Sequence, residues 1–205
     1  MTKSPYDKDY SKDDYYWGKD PTLLCKETLE LIKIHSIKIK NVIDIGTGEG
    51  RDAVHFAKQN YDVTATDISK PGLNKAKKLA EENNVHIETF QEDVSELRLE
   101  KNYDLIFSAG TLQFVNPEKR DKVFANYKEK TNIDGINAIS VFVEKPFLSL
   151  PPDWEETEFM YESGDLLKYY KDWEILSFTE NIFECNSSGI KHKHCINRII
   201  ARKIQ

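Results

Sequence analysis

The stretch NVIDIGTGEGRDAVHFA, residues Asn41–Ala57, decides how the rest of the chain is read. Val42-Ile43-Asp44-Ile45 is short, apolar and bounded by turn residues, the pattern of a parallel strand buried on both faces. Gly46, Gly48 and Gly50 follow at alternate positions, where the chain must turn sharply or let a ligand approach the backbone without a Cβ in the way. Ala53, Val54, Phe56 and Ala57 then recur at helical spacing. Strand, glycine loop and helix in this order open a nucleotide-binding βαβ unit.

A glycine-rich turn on its own also occurs in α/β proteins that bind nothing. Here a second strand, Asp62-Val63-Thr64-Ala65-Thr66, ends on Asp67, about 20 residues beyond the loop, where a carboxylate meets the hydroxyls of an adenosine ribose. The spacing is G-x-G-x-G and not the G-x-G-x-x-G of dinucleotide binders. Asp44, Glu49 and Asp52 also crowd the start of the helix, an end that would otherwise attract a pyrophosphate. A cofactor with an adenosine, a cationic end and no phosphate suits this arrangement, and S-adenosylmethionine is such a molecule.

At these residues the chain resembles the class I S-adenosylmethionine-dependent methyltransferases, whose first motif is matched by Val42 to Gly50. Within that class it is similar to the tellurite-resistance methyltransferase group over about residues 15–204. That similarity rests on Asp44 to Arg51, on Tyr61 to Asp67, and on Gly164-Asp165-Leu166-Leu167-Lys168-Tyr169-Tyr170-Lys171-Asp172-Trp173-Glu174. It departs where the group often has Cys at Thr47 and Asn at Asp52. The resemblance implies a doubly wound, mostly parallel seven-stranded sheet with helices on both faces and a C-terminal antiparallel hairpin. It also implies a cofactor site built from Asp44, Gly46, Thr47, Gly48, Gly50, Arg51, Asp67, Ile68, Asp93, Val94 and Ser108. In it Asp44 holds the amino-acid end, Asp67 the ribose and Asp93 the adenine amino group.

The remaining sequence supplies matching elements. Leu23, Leu24, Leu29, Leu31 and Ile32 predict a helix over Pro21–Ile34. Ser69 and Pro71 start another, with Leu73, Ala76, Leu79 and Ala80 on its apolar face. Strands are expected at Val85–Phe90, Tyr103–Phe107 and Ile136–Val143, with a helix capped by Asn116-Pro117 between the last two. A short helix over Ser163–Tyr170 and two strand-like runs, Trp173–Phe183 and Lys191–Lys203, complete the chain, the runs being joined at Asn186-Ser187-Ser188-Gly189. Repeated alternation of strand and helix specifies a parallel sheet covered on both faces.

Composition bounds the function. A chain of 205 residues suits one domain, with 1–14 as a flexible N-terminus and 15–205 as the methyltransferase domain. A net charge of −6 disfavours nucleic acid as a partner. Base-amino methylation is disfavoured further because Ser108-Ala109-Gly110-Thr111 lacks an Asn/Asp-Pro-Pro-aromatic box. With no spanning apolar run, no signal-like leader and an odd count of cysteines, Cys25, Cys185 and Cys195, the expectation is a cytoplasmic monomer or homodimer with no disulfide framework. His192, His194 and Cys195 are the one group with metal-ligand chemistry. Alternation along a strand sends Cys195 to the other face, so a solvated basic strand is favoured over a metal, and help in attracting an anion is a weaker reading.

Three adjacent aromatics before a helix either staple the chain end to the core or form a flap over a small-molecule acceptor. Tyr15, Tyr16 and Trp17 precede the first helix, and a proline-rich loop carries Phe147, Trp154 and Phe159. Tyr16, Trp17, Gln113, Trp154 and Phe159 are therefore candidates for contact with the acceptor. The sulfonium is already an activated leaving group, so a soft acceptor such as tellurite, selenite or a small thiol needs positioning and water exclusion, and no general base is assigned. Two alternatives share the cofactor motifs in whole or in part: a non-catalytic S-adenosylmethionine-binding sensor or partner subunit, and an NAD-dependent oxidoreductase.

Overall fold

Val42 and Ile43 are both buried, and they belong to two different apolar clusters. That is the signature of a strand covered on both faces. In the computed structural model, which describes residues 4–150, 152, 158–186 and 189–205, this strand is β1 (Asn41–Ile45), near the middle of a seven-stranded sheet. The order is β3-β2-β1-β4-β5-β7-β6. The partners are β2 (Asp62–Asp67), β3 (Glu88–Gln91), β4 (Tyr103–Ala109), β5 (Thr131–Val143), β6 (Glu174–Cys185) and β7 (His192–Arg202).

Strands β1 to β5 pair in parallel, while β7 runs antiparallel to both β5 and β6. The expected sheet and hairpin are therefore present. The sequence patterns did not show that β7 lies inside the sheet with β6 at its edge.

One face is covered by α2 (Leu23–Ile34), α3 (Arg51–Ala57) and α4 (Lys70–Glu82), whose Leu24, Phe56 and Leu79 pack with Val42, Leu105 and Phe107. The other is covered by α5 (Pro117–Glu129) and α6 (Asp165–Tyr170), with Phe124, Tyr127, Tyr170 and Trp173 against Ile43, Ile106 and Ile139. The predicted caps form. The Ser69 hydroxyl accepts the Gly72 amide at 3.1 Å, and the Asn116 side chain accepts that of Glu118 at 2.9 Å. Boundaries moved most at β3, which begins at Glu88, and at β5, which begins already at Thr131.

The first segment differs from expectation. Residues 4–14 contain a short helix, α1 (Asp7–Tyr10), and lie against the sheet's carboxyl edge; Tyr10 is 5% exposed and Ser4 is buried. The reason is aromatic: Tyr6 stacks on Tyr10 at 5.6 Å and meets the edge of Trp17 at 5.7 Å. Such a contact has no periodicity by which a sequence could announce it. Trp154 and Pro151 lie outside the described residues. Phe147, expected in a flap, is exposed.

Candidate active site

The loop after β1 is held from both sides. The Gly46 and Thr47 amides donate to the Thr66 carbonyl at 2.8 and 2.9 Å, clamping the loop to the end of β2. Gly46 has φ +75°, and a Cβ there would stand 2.1 Å from the Thr111 hydroxyl, so only glycine fits. Gly50, φ +88°, starts α3, and its added Cβ would meet that of Ala76 at 2.5 Å. Its role is therefore the packing of α3 on α4 rather than room for a ligand.

Five carboxylates converge on one cavity of about 740 Å³ at the carboxyl ends of these strands, those of Asp44, Asp52, Asp67, Glu92 and Asp93. Such a position is where open α/β sheets take ligands. Asp44 is 2% exposed, and it accepts a 2.6 Å hydrogen bond from the Thr47 hydroxyl. Burial, seconded by the Asp52 charge and only partly opposed by the Thr47 bond, pushes its pKa up to about 8. Burial raises Asp67 as well, against the Ser69 and Gly48 amides that donate to it at 2.8 and 2.7 Å. Asp52 is likewise raised by burial, while accepting the Thr22 amide at 2.7 Å.

The arrangement selects a ligand by charge. In a low-dielectric cleft a cation stabilises the ionised form of such carboxylates, and the same group of acids disfavours a pyrophosphate. The donor set thus fits S-adenosylmethionine, whose ammonium and sulfonium are both cationic.

Residues 4–22 cross the cavity as a strap, fastened at several points. The Ser69 hydroxyl donates to Asp7 at 2.6 Å, the Arg51 guanidinium to the Trp17 carbonyl at 2.8 Å, and the Trp17 indole to the Tyr10 hydroxyl at 3.0 Å. Glu49, buried to 3%, receives the Trp17 amide at 3.2 Å and the Lys75 ammonium at 2.7 Å, while Lys75 also donates to the Asp14 carbonyl. Opposite the strap, Phe142 on β5, Phe183 and Cys185 on β6, and His194, Ile196 and Arg198 on β7 form the far wall.

Of the expected site residues, Asp44, Gly46, Thr47, Gly48, Arg51, Asp67, Ile68, Asp93 and Val94 all line this cavity, as do Trp17 and Phe159. Ser108 does not. It is fully buried, and its hydroxyl donates to the Ile45 carbonyl at 2.9 Å, tying β4 to β1. Gln113 is buried behind the wall; its side-chain amide donates to the Gly110 carbonyl, and its backbone carbonyl accepts the Phe159 amide at 2.7 Å. It positions Phe159 and does not face the ligand space. Tyr16 packs on Trp17 at 4.6 Å without lining the cavity.

Sequence reasoning missed Tyr6 and Tyr10, whose signal was only a pair of aromatics one helical turn apart. It also missed the far wall, which depends on the strand order of the hairpin.

A parallel sheet extended by an antiparallel hairpin, with this loop and this acidic cavity, defines the class I S-adenosylmethionine-dependent methyltransferases. Residues 7–201 match the family model described as tellurite resistance protein TehB, and the chain belongs to that family. A curated relative from Haemophilus influenzae, a probable S-adenosyl-L-methionine-dependent methyltransferase TehB, is 30% identical over 196 residues, or 94% of this chain and 67% of the relative. The crystal structure of TehB from Haemophilus influenzae superposes with a TM-score of 0.76 at 27% identity, covering 97% of this chain and 65% of that one. This chain therefore spans about two thirds of the length of these relatives. Magnesium protoporphyrin IX methyltransferase from Synechocystis, solved with bound S-adenosylmethionine, shares the fold with a TM-score of 0.63 at 16% identity, covering 88% of this chain and 77% of that one.

Proposed function

We propose that the chain transfers the methyl group of S-adenosylmethionine to a small, soft nucleophile, a metalloid oxyanion or a small thiol. The observation that carries this reading is one cavity in which carboxylates and an aromatic strap meet a far wall of mixed aromatic, thiol, imidazole and guanidinium groups. Bound there, the cofactor supplies an activated methyl group on a sulfonium.

The protein's part is placement. In this reading Asp44 pairs with an ammonium, Asp67 accepts ribose hydroxyls beside the Gly48 and Ser69 amides it already holds, and Asp93 accepts an adenine amino group. Tyr10, Trp17 and Phe159 exclude water, which strengthens those contacts and protects the methyl group. Arg198 lines the far wall, where a guanidinium would hold an oxyanion. A metalloid oxyanion attacks through its lone pair, and a thiol attacks as the thiolate after giving its proton to solvent, so no general base on the chain is assigned.

The experiment is transfer of label from methyl-labelled cofactor to a panel of tellurite, selenite, small thiols, thiopurines and small amines, with calorimetry of cofactor binding alongside. Label on a metalloid or a thiol is the expected result. Tight cofactor binding with no transfer to any member would favour the second reading, a sensor module, for which the acidic half of the cavity would suffice. Binding of NADH in place of S-adenosylmethionine would overturn both.

A further inference from the structure

Cys185 and His192 face each other across the β6–β7 ladder, and Phe183 faces His194 one step along. Side chains two residues apart on a strand share a face, so His192 and His194 point the same way, and Cys185 points with them. The Sγ of Cys185 and one ring nitrogen from each histidine lie within 4.8 Å of one another. Cys195, which the sequence placed beside the histidines, is buried on the opposite face in the core with Ile199 and Trp173.

We propose that Cys185, His192 and His194 form a site for a thiophilic d10 ion of the zinc class, set in the far wall of the active-site cavity. The ligand set is the sulfur-and-imidazole combination that such ions favour, and three protein ligands are the number found where an ion keeps a position for an exogenous ligand. Cys185 and His194 both line the cavity, so that remaining position draws its ligand from there.

The outer hydrogen bonds are already in place. The Nδ1 of His192 lies 2.7 Å from the Ile190 carbonyl and donates to it, which puts the lone pair on Nε2, the atom turned toward His194. A carbonyl holding the far nitrogen of an imidazole is the support that metal-ligating histidines ordinarily have. Phe142 and Phe183 pack on His194 at 4.9 and 5.5 Å and hold its ring.

A hydrogen bond between the two imidazoles, Nε2 to Nε2 at 2.8 Å, accounts for the pair alone. The Cys185 thiol on the same face adds the sulfur ligand. Seating an ion with bonds of about 2.0 Å to each nitrogen requires the rings to part by roughly half an ångström. The half-buried His192 can supply this by rotating.

The test uses the full chain under reducing conditions, titrated with Co2+ as a spectroscopic probe and then with Zn2+ as competitor. The expected result is a four-coordinate visible spectrum with a near-ultraviolet thiolate-to-metal band, saturating at one ion per chain and abolished by Zn2+. Cys185→Ser should remove the thiolate band, Cys195→Ser should leave it, and His192→Gln should weaken Zn2+ binding by at least roughly 100-fold, the upper end of what loss of even an outer hydrogen-bond partner costs. Cys185 and His192 are only half-buried, so folding of these variants is checked by an unchanged thermal midpoint. A six-coordinate Co2+ spectrum, or a thiolate band that survives Cys185→Ser, overturns the proposal. Cofactor binding measured on the same preparations tests the methyltransferase reading separately.

Discussion

Asp44 is the residue on which the proposed cofactor chemistry can be weighed most directly. With a pKa of about 8, its carboxyl is about 0.9 protonated at pH 7 in the chain alone. Pairing with an ammonium returns the carboxyl to its ionised form, so binding should release close to one proton, less the ~0.1 taken up by the cofactor's own amine. That proton costs about 1.4 kcal/mol at pH 7, a tenfold weaker affinity than the ionised site would show. The assay is calorimetry at pH 7 in buffers of different ionisation enthalpy, where the slope of observed against buffer enthalpy counts protons. Asp52 and Asp67 are raised by burial too, so Asp44→Asn isolates the share of Asp44. In that variant the slope should collapse, and affinity should fall by about 1.5–3 kcal/mol with the lost charged hydrogen bond. A slope near zero in the unaltered chain, or one unchanged in Asp44→Asn, refutes the pairing. Stability carries the same sign. The folded carboxyl is raised above its ordinary value of 3.8, so its contribution is full below about pH 4 and is lost as pH climbs through 8.

Asp67→Ala should weaken cofactor binding by on the order of 2–4 kcal/mol through two lost charged hydrogen bonds, read by calorimetry. Unchanged affinity would remove Asp67 from the ribose. Trp17→Ala opens the strap where it touches Tyr6 and Tyr10, and should lower the turnover rate more than the cofactor affinity, measured by single-turnover kinetics. Lys75→Met leaves Glu49 buried without its cation and should cost about 3–5 kcal/mol of stability, seen as a lowered denaturation midpoint. Gly50→Val forces a branched side chain into left-handed backbone against Ala76, and should destabilise by more than about 1 kcal/mol while leaving the Asp44 and Asp67 chemistry in place.

How much of this could be read from the chain depends on the range of the interaction. The β1 loop, Asp67 and the caps at Ser69 and Asn116 are local, because each is set by residue types a few positions apart, and all stand where the patterns put them. Ser108 and Gln113 were misplaced because the end of a strand borders both the ligand space and the core behind it. Which way a side chain turns is settled by the Ile45 and Gly110 carbonyls, from 63 and three residues away. Tyr10 was hidden because a four-residue helix gives too few positions to show a face. The thiol–imidazole group was hidden because its members meet only through the register of β6 on β7. Alternation already turned Cys195 away from the histidines, but only the ladder brings Cys185 opposite His192 while Cys195 joins the core.

The place of β7 between β5 and β6 has a consequence for how the molecule assembles. During synthesis β5 emerges well before its neighbour, and its long edge from Ile136 to Val143 waits unpaired until residues 195–202 arrive. β6, made in the interval, has no strand to join, since its hydrogen-bonding partner is β7 alone. An open, apolar strand edge invites pairing with other chains. The half carrying β1, β2 and the glycine loop can form early, whereas the far wall exists only once β7 has threaded into the gap. Adding S-adenosylmethionine during refolding should then protect the first half without hastening the closure of the sheet, which makes β7 docking the step at which chains are lost to aggregation.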